Sequence, residues 1–191
     1  NGYMSVAALR SGTIADLQVA FATTANWTGT NTSRTSWPTT PLQVSLGRVP
    51  DAIEYEALRD LYIATSGDKW NINYNWLQGK TAADFATWFG VQVQDNDVVS
   101  ILLHDNNLAG SLPASIGNLT QLRSLTLANH SRMTGPLPTA LGRLRQLTRL
   151  TLFRSGFTGG IPIELTNATN LQTLELFENP LGGVLPSTLG R

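Results

Sequence analysis

A leucine-based pattern recurs at an almost constant interval through the second half of this 191-residue chain. Each copy has the form hydrophobic-x-x-hydrophobic-x-Leu, and successive copies begin 24 or 25 residues apart. The four copies are Val98-x-x-Ile101-x-Leu103, Leu122-x-x-Leu125-x-Leu127, Leu147-x-x-Leu150-x-Leu152 and Leu171-x-x-Leu174-x-Leu176. A fixed period in this range is typical of a solenoid, in which each unit buries its apolar side only against its neighbours.

Within each unit, the order of residue types predicts a strand, a turn and a return path. The alternation in Leu-x-Leu places both leucines on one face of a strand, so stacked units predict a parallel sheet. The predicted strands are 99–103, 123–127, 148–152 and 172–176. A polar residue that can satisfy backbone groups inside the bend follows each strand: Asn106, then Asn129 or His130, then Ser155, then Asn179. A Gly-x-hydrophobic-Pro phrase then ends regular structure and turns the chain back.

These features together resemble the leucine-rich repeat family, specifically its plant-type subclass with the outline LxxLxLxxNxLxGxLPxxLGxLxx. Residues 98–191 fit this outline over three complete repeats and most of a fourth, which we expect to be truncated. The resemblance implies an α/β solenoid with a parallel sheet on its concave face. It also implies relatives among receptor ectodomains, cell-wall proteins and inhibitors of wall-degrading enzymes.

Residues 51–97 resemble the N-terminal cap that precedes such repeats in cell-surface proteins. A helix is predicted over 51–66, because Asp51 and Glu54 have the capping-box spacing and Gly67 supplies a stop. A cap is required physically, since the first repeat strand otherwise leaves an open edge and an exposed end of the core.

The second half of this cap is predicted to contain a short helix over 81–89, a strand, and a turn at Asp95-Asn96-Asp97 that leads into the first repeat. Plant receptors usually close the cap with paired cysteines, and this chain has none. We therefore expect a packed aromatic cluster in their place, formed by Trp70, Trp76 and Trp88.

Residues 1–50 do not fit the repeat and are rich in Thr, Ser, Asn and Pro. This composition predicts an extended arm or linker. Two stretches within it, Leu17-x-Val19-x-Phe21 and Leu42-x-Val44-x-Leu46, alternate like strands that need a partner. That partner is either the chain's own cap or another subunit, so residues 1–50 leave self-association open.

No residue pattern in the chain predicts an enzyme, a metal site or a cofactor. His104 and Asp105 are adjacent on a predicted strand, where neighbouring side chains point to opposite faces and cannot cooperate. The Asp95-Asn96-Asp97 segment lacks the remaining ligands of a calcium loop. A formal net charge of zero argues against nucleic acid as a partner, and no apolar run is long enough to span a membrane.

Function is therefore predicted on the strand face that looks away from the core. Phe153 and Phe177 occupy equivalent outward positions in neighbouring repeats, so we expect an exposed apolar patch there. The charged side chains expected around this patch are Arg149, Arg154, Glu175 and Glu178. An apolar centre with a charged rim is typical of surfaces that bind a protein or a peptide.

Five Asn-x-Ser/Thr sequons indicate N-linked glycosylation if the host is a eukaryote. They lie at Asn26, Asn31, Asn118, Asn129 and Asn167. The sequence thus predicts an extracellular or cell-surface recognition module without catalytic activity. The alternative is a structural cell-surface or filament subunit that assembles through its N-terminal arm.

Overall fold

The computed structural model of the protein describes residues 50–189, which contain two α-helices and seven short strands. The helices are α1 (Pro50–Ala64) and α2 (Ala82–Phe85). The strands are β1 (Val91–Gln94), β2 (Asp97–Leu102), β3 (Ala109–Gly110), β4 (Ser124–Thr126), β5 (Arg132–Met133), β6 (Arg149–Thr151) and β7 (Thr173–Glu175).

Successive repeats place their strands side by side in one sheet, in the order β1-β2-β4-β6-β7. Strands β2, β4, β6 and β7 are parallel, with Leu125 of β4 opposite Ile101 and Leu150, and Leu150 opposite Leu174. The predicted parallel ladder is therefore confirmed. The strands β4, β6 and β7 contain three residues each, shorter than the predicted five.

The apolar positions of the repeat form a continuous core behind this sheet. Side chains such as Ile101, Leu125 and Leu150 are fully buried, and the second leucine of each pair, such as Leu127, lies beside them. Burying a leucine side chain contributes roughly 1.5–3 kcal/mol relative to leaving it in water. The stacked leucines are therefore the main source of stability in this half of the molecule.

Short 3₁₀ helices form the opposite surface, which we call the return side. They span Ala114–Asn118, Thr139–Arg143 and Ile163–Asn167. Each is preceded by a proline in extended conformation, which explains the recurrent Pro of the motif. A Cβ atom at Gly117 would overlap the Ala140 carbonyl, and neighbouring 3₁₀ helices could not then pack so closely.

Helix α1 packs on the first repeat and ends two residues earlier than the sequence predicts. Ala57, Leu58 and Leu61 are fully buried along its inner face. The helix stops at Ala64 because Ser66 adopts a left-handed conformation, with φ of 56°. The Thr65 hydroxyl donates to the Leu61 carbonyl at 2.6 Å in the last turn.

The second predicted helix, 81–89, is also shorter in the structure. Thr81 and Asp84 form a capping box that starts α2, but the helix ends at Phe85. Beyond it, the Thr87 and Trp88 amides bond to carbonyls only three residues back, in the tighter 3₁₀ manner. This tightening accompanies the inward position of Trp88, which is 2% exposed.

The three tryptophans of the cap form the expected aromatic cluster. The ring centroids of Trp70 and Trp76 lie 4.8 Å apart, and those of Trp76 and Trp88 lie 5.2 Å apart. Each indole N–H also donates to a backbone carbonyl at 2.9 to 3.0 Å, on Thr65, Phe89 and Gln78 respectively. The cluster therefore fills the cap without disulfides and provides donors to three of its backbone carbonyls.

A hairpin and a buried carboxylate connect the cap to the repeats. Strand β1 pairs antiparallel with β2 through a two-residue loop, Asp95-Asn96, in which both residues have positive φ. This is the turn type that favours Asn and Asp. Glu54 of α1 is 4% exposed and accepts the Val98 amide at 3.1 and 3.3 Å. The sequence did not indicate this buried contact.

Most of the predicted arm, with its sequons Asn26 and Asn31, lies outside the described residues. Pro50, the last residue assigned to the arm, instead begins α1. None of the helices in the described part of the chain is both long and apolar enough to cross a membrane.

Candidate functional site

The exposed surface of the five-stranded sheet, which we call the sheet face, presents side chains in columns that run across the repeats. The strand register aligns Leu102 with Thr126, Thr126 with Thr151, and Thr151 with Glu175. The Thr151 hydroxyl donates to a carboxylate oxygen of Glu175 at 3.0 Å, and Thr151 is only 5% exposed. Glu175 is thus half-buried and held in place by the preceding repeat.

Phe153 and Phe177 form a parallel stack two residues beyond Thr151 and Glu175 along the chain. Their ring centroids lie 4.6 Å apart and their planes differ by 6°. This separation matches the spacing between neighbouring strands, so the rings stack in the direction in which repeats succeed one another. Phe177 is 53% exposed and Phe153 is half-buried. The two aromatic residues singled out in the sequence therefore lie together on the surface.

The next column carries residues in an unusual backbone conformation. Asp105, Asn129, Arg154 and Glu178 all have positive φ, between 50° and 62°. Asp and Asn tolerate this left-handed region, whereas Arg and Glu adopt it at an energetic cost. The Arg154 Nε atom nevertheless lies 2.8 Å from the Glu178 carboxylate, and both side chains are more than half exposed. The hydrogen bond to Glu178 raises the pKa of Arg154 above its ordinary value.

A shallow groove of about 680 Å³ crosses the sheet face, with lining residues from β1 at the cap to β7 in the last repeat. Arg149 and Glu175, two of the predicted rim residues, line it together with Arg123. The Arg123 guanidinium donates to the side-chain oxygen of Gln94 at 3.0 Å. The sequence columns omitted Arg123 because it occupies the second position of its repeat, next to a buried leucine.

The bends that follow the strands contain the row of polar side chains that the sequence placed there. In the second repeat the position belongs to His130, which is 1% exposed, rather than to Asn129. The His130 Nε2 atom bonds to the Leu103 carbonyl, so this nitrogen carries the proton. The Nδ1 atom is buried without a hydrogen-bond partner. Burial lowers the pKa of His130, which favours the neutral ring.

His104 and Asp105 are in contact, contrary to the expectation that their side chains diverge. Asp105 has a φ of 53°, so it no longer follows strand geometry, and its carboxylate lies 3.0 Å from His104 Nδ1. Hydrogen bonds from His104, and then from Asn129, lower the pKa of Asp105. Among residues 50–189, the His104 ring forms no other side-chain hydrogen bond. The same residues contain no group of His, Asp and Glu side chains that could hold a metal ion.

The three sequons within the described residues differ in their surroundings. Asn118 and Asn167 end equivalent 3₁₀ helices on the return side. Asn118 is half-buried and its side-chain oxygen accepts from Arg143 at 3.4 Å, whereas Asn167 is exposed. Asn129 lies in the turn beside Asp105, and its side-chain oxygen is buried.

Comparisons with known proteins agree with this geometry. The sequence profile of the family described as Leucine Rich Repeat matches residues 170–191. Phytosulfokine receptor 1 of Arabidopsis thaliana is 31% identical over 139 residues, which are 71% of this chain and 11% of the receptor. The chain therefore spans about a tenth of the length of this curated relative.

Two solved structures from Arabidopsis show the same architecture. The BIR2 ectodomain of Arabidopsis thaliana is 29% identical with a TM-score of 0.64, over 72% of this chain and 75% of that one. The ectodomain of the receptor kinase HAESA, solved with a peptide hormone ligand, is 27% identical with a TM-score of 0.60. That match covers 73% of this chain and 23% of the HAESA chain.

Proposed function

The chain belongs to the plant-type leucine-rich repeat family, and from this premise we propose that its sheet face binds a peptide or protein ligand. The HAESA ectodomain, solved with a peptide hormone ligand, supports a ligand of this class. The ligand lies along the concave side of the solenoid and contacts Phe153 and Phe177 at the centre of the binding surface. The protein acts by recognition and without catalysis, at the cell surface or outside the cell.

The observation that most supports this proposal is the energetically unfavourable backbone conformation of Arg154 and Glu178. These residues have φ values of 50° and 56°, which Asn or Gly would adopt with less strain. An ion pair between exposed side chains contributes little to folding, so stability alone does not explain their presence. Strained positions of this kind concentrate at binding and catalytic sites.

The chemistry of the surface suits a ligand with apolar side chains. The two phenyl rings offer an aromatic patch already ordered by their mutual stacking, which limits the conformational entropy lost on binding. Around them, Arg154 and Glu178 present one charge of each sign, and Glu175 is fixed by Thr151. Arg149 extends the rim toward the groove.

Selection from a library of random twelve-residue peptides tests this function. The full chain is the target, and the synthetic peptides recovered are measured by fluorescence anisotropy. The variant Phe153→Ser/Phe177→Ser is expected to weaken binding by about thirtyfold or more, as for a central aromatic hot spot. Ile163→Ser is the matched control, because Ile163 is 58% exposed on the return side.

Peptides that bind the phenylalanine variant as well as the wild type would contradict the proposal. Circular dichroism of each variant establishes that it is folded before binding is measured. Light scattering of the same samples tests the structural-subunit alternative, which requires polymers where a recognition module remains monomeric.

A further inference from the structure

We propose that Arg123 and Arg149 form an anion subsite in the groove of the sheet face, and that it takes acidic side chains of a peptide ligand. This proposal rests on the function proposed above and specifies the chemistry of the ligand. It concerns the groove that crosses the strands of the sheet face, whose lining does not include the phenylalanine stack.

The strand pairing brings the two arginines to neighbouring positions. Arg149 lies opposite Ser124 in the register of β4 and β6, and its amide donates to the Arg123 carbonyl at 3.0 Å. Both side chains line the groove of about 680 Å³. Two guanidinium groups on adjacent strands can reach one carboxylate or two neighbouring ones.

The charges of this groove are not balanced. Among residues 50–189, neither arginine forms an ion pair with a carboxylate, and the Arg123 guanidinium bonds instead to neutral Gln94. Glu175 is the sole acidic side chain among the described residues that line the groove, and Thr151 already donates to it. The remaining lining residues are uncharged: Gln92, Gln94, Val99, Ser100, Leu102, Ser124, Thr126 and Thr151.

The donors of the groove fit carboxylates in particular. Arginine presents several N–H donors in a planar fork that matches the two oxygens of a carboxylate. The bond to Gln94 uses one terminal nitrogen of Arg123 and restrains the side chain over the groove, which leaves its other donors available. The ligand therefore loses less side-chain entropy from the protein when it binds.

The position of Arg149 relative to Phe153 sets a length for the ligand. The two residues are four positions apart in one repeat, so their Cα atoms are separated by at most about 13 Å. An extended peptide spans this distance with four residues. A ligand that runs along the strand direction thus places an acidic residue about four positions from its apolar anchor.

The test compares two variants that remove the same charge from opposite sides of the molecule. Arg123→Gln/Arg149→Gln alters the groove, and Arg143→Gln/Arg145→Gln alters the return side, where the two arginines line a different groove. Twelve-residue peptides selected on the wild-type full chain are synthesised in two forms, one with their Asp and Glu residues and one with Asn and Gln instead. Affinity is measured by fluorescence anisotropy at low and high salt.

We expect the selected peptides to be enriched in acidic residues. Arg123→Gln/Arg149→Gln should weaken their binding by about tenfold or more, since hydrogen bonds to charged groups are the strong ones. The Arg143→Gln/Arg145→Gln control should retain wild-type affinity. Arg123→Gln/Arg149→Gln should also bind the acidic and amide forms of the peptides equally. This result would show that the two arginines contact the peptide carboxylates directly, rather than acting through the net charge of the protein.

Equal affinity of the wild type for acidic and amide peptides would overturn the anion subsite. If those peptides still lose binding in Phe153→Ser/Phe177→Ser, the recognition function stands and only the acidic specificity is wrong. If no peptide is recovered at all, both proposals fail together.

Discussion

The cap and the repeats bury their apolar faces by different means. In the repeats, leucines recur at equivalent positions and each packs on the copy before and after it. In the cap, Trp70, Trp76 and Trp88 occupy three different environments, and each indole N–H bonds to a particular carbonyl. The repeats therefore distribute their stability over many similar leucine contacts. The cap depends on a few tryptophan contacts, none of which can replace another.

Replacement of Trp88 by alanine should have the largest effect, because it removes the most deeply buried of the three cap tryptophans. Trp88 lies within 5.2 Å of Trp76 and 5.1 Å of Phe85, measured between ring centroids, and is 2% exposed. We expect Trp88→Ala to lower the free energy of unfolding by about 3–5 kcal/mol, the usual range for a buried aromatic residue. Urea denaturation followed by circular dichroism measures this loss.

The matched substitution in the repeats is Leu150→Ala, at a fully buried position of β6. It should cost about 2–5 kcal/mol. If the cap is the less replaceable region, Trp88→Ala should also remove the cooperativity between cap and repeats, seen as a lower denaturant slope. An unchanged slope in both variants would show that the two regions unfold as one unit regardless of where they are damaged.

The second prediction compares two equivalent polar positions, one that contacts the cap and one inside the repeats. The side chain of Asn106 bonds to both the amide and the carbonyl of Ile72 in the cap, at 2.7 and 2.8 Å. His130 bonds only to the Leu103 carbonyl through its ring. His130→Ala leaves that carbonyl without its donor, and we expect a loss of about 1–3 kcal/mol in the free energy of unfolding.

His130 should also make stability depend on pH. Because burial lowers its folded-state pKa, the unfolded chain binds more protons once the pH falls below about 6.5, so stability declines there. Asp105 and His104 are the titratable groups that act on this ring, and they shift the pKa of His130 in opposite directions. In His130→Asn, which retains a donor for the Leu103 carbonyl but does not titrate, the urea midpoint should be the same at neutral and mildly acidic pH. A wild-type midpoint independent of pH across this window would refute the assignment.

Sequence periodicity predicted most of the repeats and little of their connection to the cap. Each leucine position is repeated, so the pattern identifies the core, the register and the neighbouring positions of Phe153 and Phe177. Contacts made once are not encoded in a period, as with the buried carboxylate of Glu54. The contact between His104 and Asp105 depends on the left-handed backbone at Asp105, which the alternation of a strand does not reveal.

The third prediction is that replacing Glu178, a residue with positive φ on the sheet face, raises stability and weakens binding. Glu178→Asn places a residue that tolerates positive φ at a position where φ is 56°. The free energy of unfolding should rise by about 0.5–1 kcal/mol, the order of the strain relieved. Affinity for the selected peptides should fall at the same time, because the Arg154 partner is lost. Glu164→Asn, which removes the same charge from a 3₁₀ helix of the return side, is the control and should change neither by a comparable amount.

The smallest expected effect on stability concerns the sequons, and it tests whether equivalent positions of the repeat are also equivalent chemically. The Arg143 guanidinium, one repeat further from the cap, donates to the side-chain oxygen of Asn118. Asn167 is exposed, and no hydrogen bond among residues 50–189 involves its side chain. Glycosylation needs an accessible carboxamide, so we expect Asn167 to carry more glycan than Asn118 when the chain is secreted from a eukaryotic host. Asn129 should carry least, because its side chain lies against Asp105 in the turn.

Peptide mass spectrometry gives the glycan occupancy of each site. In Arg143→Gln, which weakens the bond to Asn118, the occupancy of Asn118 should approach that of Asn167, with little change in the unfolding midpoint. Equal occupancy in the wild type would mean that the repeat position alone, and not its neighbours, governs modification on the return side.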